Sequence, residues 1–251
     1  MLPIERRQRV IEIIQIDKRV LVSDLSKRFN VTEETIRRDL EKLEKEGLVT
    51  RTYGGAIINQ HTNEDLPFVA RSDQNLQTKQ EIAQKALNYI SDHDSLFVDS
   101  SSTCYELVKL LTEKQNITII TNSVKILNEI NSDKLRIIST GGILRPHSFS
   151  LVGSIPQETV HKYNTDLAII SCKGIDKEKD ITDSNEPDSE LKKAMIYQAG
   201  KTMLLLDHTK FDNIAFVSFM SFKEIDYLVT DQKPTDEWIK YLHDQNVTVI
   251  Y

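Results

Sequence analysis

The sequence predicts two folded parts. A small helical head closed by a β-hairpin comes first, and a larger α/β domain with a largely parallel sheet follows. Three observations carry this. Apolar residues recur at helical spacing over residues 4–43 and then alternate around a glycine pair at 54–55. Residues 58–75 are polar and lack sustained periodicity. Beyond them, short Val/Ile/Leu runs alternate with helical patterns to the end of the chain. The predicted division is therefore 1–57, a connecting segment over 58–75, and 76–251.

In the head, Val10, Ile11, Ile13 and Ile14 predict a first helix over about residues 4–16. Val22, Leu25 and Phe29 place a short second helix, and Asn30-Val31 reads as a tight turn. Thr32 stands where an N-cap belongs, ahead of a longer third helix that Gly47 would end. The capping box is incomplete, because Thr35 replaces its usual Glu or Gln. On the third helix Ile36, Leu40 and Leu43 share one stripe, Arg38 lies nearly opposite it, and Arg37 flanks it.

A short helix, a tight turn and a helix with outward Thr and Arg make a helix-turn-helix. Its third helix would enter the major groove by its N-terminal end, which carries Thr32, Glu33, Thr35, Arg37 and Arg38. The acids Glu41, Glu44 and Glu46 come later, farther from base edges. Gly54-Gly55 predicts a two-residue hairpin turn where a winged helix keeps its wing, with Arg51, Tyr53 and Gly54 as wing contacts to DNA. Taken alone, the arginine pair also fits a solvated face with Glu34–Arg38 and Arg37–Glu41 ion pairs.

Charge agrees with the division. Residues 1–57 hold 12 Lys and Arg against 10 Asp and Glu, whereas the rest hold 20 against 28, giving net charges of +2 and −8. A slightly basic head on an acidic body is compatible with a head that meets DNA. The N-terminus turns charged at once and no apolar run spans a bilayer, so no membrane association and a cytoplasmic location are expected. Cys104 and Cys172 have no motif spacing and read as buried free thiols; no metal and no cofactor are expected.

In the second part, strands are expected at SLFVD, ITIIT, LRIIS, DLAIIS, TMLLLD, DYLVT and VTVIY. Ligands of such sheets bind at the carboxyl ends of strands. Those ends are polar one after another. Ser100, Ser101, Ser102 and Thr103 precede a helix and suit a phosphate, although simple helix capping would use the same residues. Asn122 follows the next strand, and Arg145 follows a glycine pair, where it could reach an anion or make a surface ion pair. Lys173 follows DLAIIS; Asp183, Asn185 and Glu186 are expected in a loop, Lys192 on the next helix, and Lys210 after TMLLLD. Together they point to a small, polyhydroxylated, anionic ligand.

Two stretches carry a resemblance. "DLSKRFNVTEETIRRDLEKLEKEGLVTRTYGGA" combines a TIRRDL core with an R-x-Y-G-G-A wing, and the whole N-terminal stretch resembles the DeoR family of bacterial transcriptional regulators. One departure is Leu21, where a capping Ser or Thr would help the second helix. "FVDSSSTCYEL", "TNS", "GGILRPHSFSLVG", "CKGID", "ITDSNEPDSELKKAMI" and "LLDHTKF" resemble, in the family's order, its sensor domain, whose fold is related to ribose-5-phosphate isomerase. The resemblance implies a repressor of a sugar-metabolism operon, a homo-oligomer controlled by a phosphorylated sugar. It would place the phosphate at the loop after Asp99 and line the sugar with Asp99, Lys173, Asp183, Lys192 and Lys210.

An isomerase-like enzyme fused to a DNA-binding head is the alternative. Proton transfer between carbons needs a carboxylate base with a lysine nearby, and Asp176, Asp183 and Glu186 could be offered. The isomerase's glycine-rich loop is missing, however, since the chain reads KGIDKEKD. No catalytic residue and no enzyme activity are expected.

Overall fold

The computed structural model describes residues 2–17, 19–45, 48–58 and 66–251. Glu46 and Gly47, the expected last acid and helix stop, lie outside the described residues, as does part of the expected connecting segment. The chain divides into two compact units, 1–74 and 75–251.

The first unit contains α1 (Pro3–Asp17), β1 (Arg19–Leu21), α2 (Val22–Phe29), α3 (Glu33–Lys45), β2 (Val49–Thr52), β3 (Gly55–Ile58) and α4 (Phe68–Asp73). Val10, Ile14, Leu25, Ile36, Leu40, Leu43, Val49 and Ala56 meet in one core. The turn between α2 and α3 is set by Asn30, whose left-handed φ of 51° lets its N–H reach the Lys27 carbonyl. The Thr32 hydroxyl accepts from the Thr35 N–H at 3.2 Å, as an N-cap does.

Strand β1 was not legible in the sequence. It pairs with β3, which also pairs with β2, so the wing is a three-stranded antiparallel sheet rather than a hairpin. This extra strand explains Leu21. It precedes α2 with no side-chain cap, and the Val22 N–H donates to the Gly54 carbonyl at 2.9 Å instead.

The strand also corrects the wing turn. Tyr53-Gly54 forms the turn, with Gly54 at φ +90°, whereas Gly55 is already in β3 opposite both Thr52 and Leu21. A Cβ on Gly55 would stand 2.0 Å from the Val20 carbonyl oxygen. Gly55 is therefore required by the close approach of β1 and Gly54 by the turn. Part of the expected connecting segment is helical, since residues 68–73 form α4. Its Ser72 hydroxyl donates to the Phe68 carbonyl, and the Arg71 guanidinium lies over the Phe68 ring.

The second unit is built on a seven-stranded sheet of order β15-β14-β12-β9-β4-β5-β6. Its strands are β4 (Ser95–Val98), β5 (Ile117–Thr121), β6 (Leu135–Ser139), β9 (Thr165–Ser171), β12 (Ala199–Leu205), β14 (Tyr227–Val229) and β15 (Thr248–Ile250). Every neighbouring pair is parallel. These are the seven apolar runs of the sequence.

Successive residues point to opposite faces. Leu96 and Val98 pack with Ile82, Leu107, Ile119 and Leu205, whereas Phe97 between them packs with Val160, Leu191 and Met195. The helices that cover the sheet are α5 (Leu76–Leu87), α6 (Ser102–Leu111), α7 (Val124–Glu129), α8 (Ser154–Val160), α9 (Glu186–Tyr197) and α10 (Asp236–Asp244).

Two small sheets complete the unit. One is the hairpin of β7 (Ile143–Arg145) and β8 (Ser150–Val152); the other joins β10 (Gly174–Asp176), β11 (Asp180–Asp183) and β13 (Val217–Met220). Their short runs interleave apolar with polar residues and carry no long apolar signal. Asp183 accordingly ends a strand and Glu186 begins a helix, where a loop was expected for both. No helix among the described residues is long and apolar enough to cross a membrane.

Candidate functional site

In the first unit, Thr32, Glu33, Arg37, Arg38, Arg51, Tyr53 and Gly54 are exposed and Thr35 is half-buried. The arginine pair is not idle. Arg37 pairs with Glu33 at 2.7 Å and Arg38 with Glu34 at 3.4 Å, each one turn back on α3. Such exposed pairs are worth about 0.3–0.5 kcal/mol, against about 1–3 kcal/mol for a good bidentate base contact. The pairs orient the guanidinium groups on the exposed face of α3 and are weak enough for a stronger partner to displace. Arg51 is held differently. Its N–H and its side chain both donate to Glu44, at 3.0 and 2.7 Å, and these bonds hold the Glu44 carboxyl below its usual range. Glu44 thus orients a wing arginine. Tyr53 stands fully exposed at the wing tip.

Inside the same TIRRDL run, Asp39 turns inward. Its Oδ2 lies 2.5 Å from Arg6 Nε with both residues buried, which ties α3 to α1. The signal was present, because Asp39 falls at the edge of the apolar stripe of Ile36, Leu40 and Leu43.

In the second unit, acids and lysines gather at the carboxyl ends of β4, β9 and β12. Buried Asp99 accepts from the Ser101 N–H at 2.9 Å and from the Ser171 N–H at 3.0 Å. Lys192 Nζ donates to the Ser171 carbonyl at 2.7 Å and to Asp183 Oδ2 at 2.5 Å, and lies 3.2 Å from Asp99 Oδ2. Lys192 is thus buried among two carboxylates and a carbonyl.

Burial pushes the Asp183 carboxyl up, but Lys192 and then Lys173 more than offset this and hold it below the carboxylate range. Asp207, two residues beyond β12, follows the same logic, with Lys210 as the chief cation and Lys79 of α5 contributing. Cys104 and Cys172 are free and buried. Burial pushes Cys172 up to about 12, so neither thiol is a nucleophile at neutral pH.

The hydroxyl loop is partly engaged within the protein. Ser101 Oγ accepts from the Cys104 N–H at 3.2 Å and caps α6; Ser100, Ser102 and Thr103 are buried beside it. Arg145 pairs with Asp188 on α9. Asn122 donates from Nδ2 to the Leu151 carbonyl at 3.3 Å. Burial raises the Asp188 carboxyl above its usual range, opposed by the charges of Lys192 and Arg145. Asp188 thus lies between the Arg145 guanidinium and the charge of Lys192, one turn on along α9. Glu186 stands exposed at the start of α9.

Ser171, Ser184, Asp188 and Asp207 belong to this site and were not singled out from the sequence. Asp188 was hidden by its position three residues after the Asn185 cap, where an acid reads as a capping group; its N–H does donate to Asn185 Oδ1.

A sequence model of the DeoR-like helix-turn-helix domain matches residues 6–62, and one of the DeoR C terminal sensor domain matches residues 74–232. The chain belongs to the DeoR family. It is a DNA-binding transcription regulator of the winged helix-turn-helix plus parallel α/β type, as expected. This DeoR-family chain is 38% identical to the HTH-type transcriptional regulator YulB of Bacillus subtilis strain 168, over 99% of its own length and 96% of that protein. It is 28% identical to the glycerol-3-phosphate regulon repressor of Escherichia coli K12, over 97% and 96%. Among solved structures, a D-ribose-5-phosphate isomerase in complex with phospho-erythronic acid matches 54% of each chain at 20% identity and a TM-score of 0.41.

Proposed function

We propose that this DeoR-family regulator represses a sugar-metabolism operon and is controlled by a phosphorylated sugar at the carboxyl edge of its parallel sheet. The observation that carries the reading is the gathering of Lys173, Lys192 and Lys210 against buried Asp99, Asp183 and Asp207 beside the N-terminus of α6. A domain that served only as structure would have no use for so many buried charges at the edge where α/β sheets bind ligands.

In this reading, residues 1–57 read DNA, 58–75 connect, and 76–251 sense. Thr32, Glu33, Thr35, Arg37 and Arg38 face the major groove, and Arg51, Tyr53 and Gly54 meet the backbone from the wing. Asp99, Ser100, Ser101, Ser102, Thr103, Asn122, Lys173, Asp183 and Lys210 line the effector, with Lys192 and Arg145 positioning the acids. Glu186 stays at the rim. Two or more subunits read half-sites in the cytoplasm, since one head buries too little surface for high specificity.

Repression is supported by the name of the glycerol-3-phosphate relative. Control without catalysis is supported by Asp183, whose carboxyl is held below its ordinary range and makes a weak base. Fluorescence anisotropy of the full chain on operator fragments, selected from a random pool, tests the reading. A sugar phosphate that changes the affinity while its free sugar does not is the expected result. Indifference to every phosphorylated sugar would overturn it.

A further inference from the structure

Among the described residues, three buried side-chain polar atoms have no hydrogen-bond partner: Asn122 Oδ1, Ser184 Oγ and Asp188 Oδ1. Buried polar groups are nearly always paired, so three orphans call for a cause. They are not scattered. The Asn122 backbone and side chain bond both polar groups of Leu151 in β8, and Asp188 pairs with Arg145 of β7, the strand beside β8. Ser184 immediately precedes Asn185, the cap on which the Asp188 N–H sits. The three therefore flank β8 and the start of α9, on the Arg145 side of the effector site.

Their chemistry is more selective than their position. The Asn122 amide orientation is fixed, because Nδ2 donates to the Leu151 carbonyl and a flipped amide would set two oxygens together. Asn122 Oδ1 and Asp188 Oδ1 are thus both acceptors in want of a donor, and Ser184 can donate or accept. A phosphate dianion offers only acceptors and leaves both unmet. A sugar hydroxyl offers a donor to an acid and an acceptor to a serine. Arg145 adds no call for an anion here, since Asp188 already pairs with it.

We propose that Asn122, Ser184 and Asp188 form the hydroxyl-binding end of the effector site, so that the ligand lies with its phosphate toward Lys173, Lys210 and α6 and its free hydroxyls toward Asp188. This rests on the effector reading above and adds an orientation, a ligand class with at least two free hydroxyls remote from phosphate, and two residues, Ser184 and Asp188, that set specificity.

Calorimetric titration of the full chain tests it, with inorganic phosphate, a series of pentose and hexose phosphates, and their deoxy analogues as probes. The wild-type chain is expected to prefer at least one sugar phosphate over inorganic phosphate and over its deoxy analogue. Asp188→Asn should reduce that preference roughly ten- to hundredfold and Ser184→Ala roughly three- to tenfold, with the affinity for inorganic phosphate unchanged. Full preference in both Asp188→Asn and Ser184→Ala would overturn the proposal and leave the effector reading intact. Binding of inorganic phosphate with no sugar phosphate preferred would overturn it as well. A wild-type chain silent toward every phosphorylated probe would overturn the effector reading and this inference together. Should Asp188→Asn fail to fold by circular dichroism, Ser184→Ala decides, because it removes no charge.

Discussion

Lys192 Nζ lies 2.5 Å from Asp183 Oδ2, with both side chains buried, and this contact joins α9 to the end of β11. Removing one member leaves the other charge uncompensated in the interior. Lys192→Met is therefore expected to destabilise the protein by about 3–5 kcal/mol. Because the loss comes from stranded carboxylates, adding Asp183→Asn should cost less than the sum of the two single changes. Urea denaturation of the two single variants and the double variant measures this; strict additivity would mean that the pair is not coupled.

The same groups fix the acid limb of stability. Asp183 and Asp207 are held below the ordinary Asp value of about 3.9, so their contribution is present above that value and lost as pH falls through their folded values. Lys192 is raised, because Asp183 and Asp99 outweigh the effect of burial, so its contribution is present below about 10.4 and lost only as pH rises through its folded value. These groups should leave stability level from about pH 5 to 8 and lower it below about pH 4. Asp183→Asn should flatten the acid slope by about one proton, as read from denaturation midpoints across pH.

Arg38 tests the DNA interface. Its side chain is 75% exposed and its only ion pair among the described residues is with Glu34. Arg38→Ala should cost no more than about 0.5 kcal/mol of folding stability, and about 1–3 kcal/mol of operator affinity if it reads a base. Unchanged anisotropy titrations would take Arg38 out of the interface.

The two wing glycines should behave differently. Gly54 at φ +90° has open space around it, so Gly54→Ala meets only backbone strain, about 1–2 kcal/mol. Gly55→Ala drives a methyl into the Val20 carbonyl and must part β1 from β3. It should abolish operator binding, whereas Gly54→Ala weakens it. Equal effects would argue that β1 is not needed to hold the wing.

The sequence by itself determined the helix-turn-helix, the seven parallel strands and the order of polar strand ends. These depend on local signals: a 3.6-residue or continuous apolar pattern, a capping Thr32, a tight turn at Asn30-Val31, and hydroxyls or lysines past successive strands. Only the tertiary structure decided which polar residues face one another. The pattern that makes Lys192 a site lysine in the sequence cannot say that Asp99, Asp183 and Ser171, far apart along the chain, will gather round its ammonium group. Nor can it tell that Asp39 turns inward to Arg6 while Arg38 faces out, or that a three-residue strand at Arg19–Leu21 makes Gly55 indispensable. A residue's local pattern fixes its face of a helix or strand. Its partners are fixed by long-range packing, where a charge or hydrogen-bond donor is either matched or left costly.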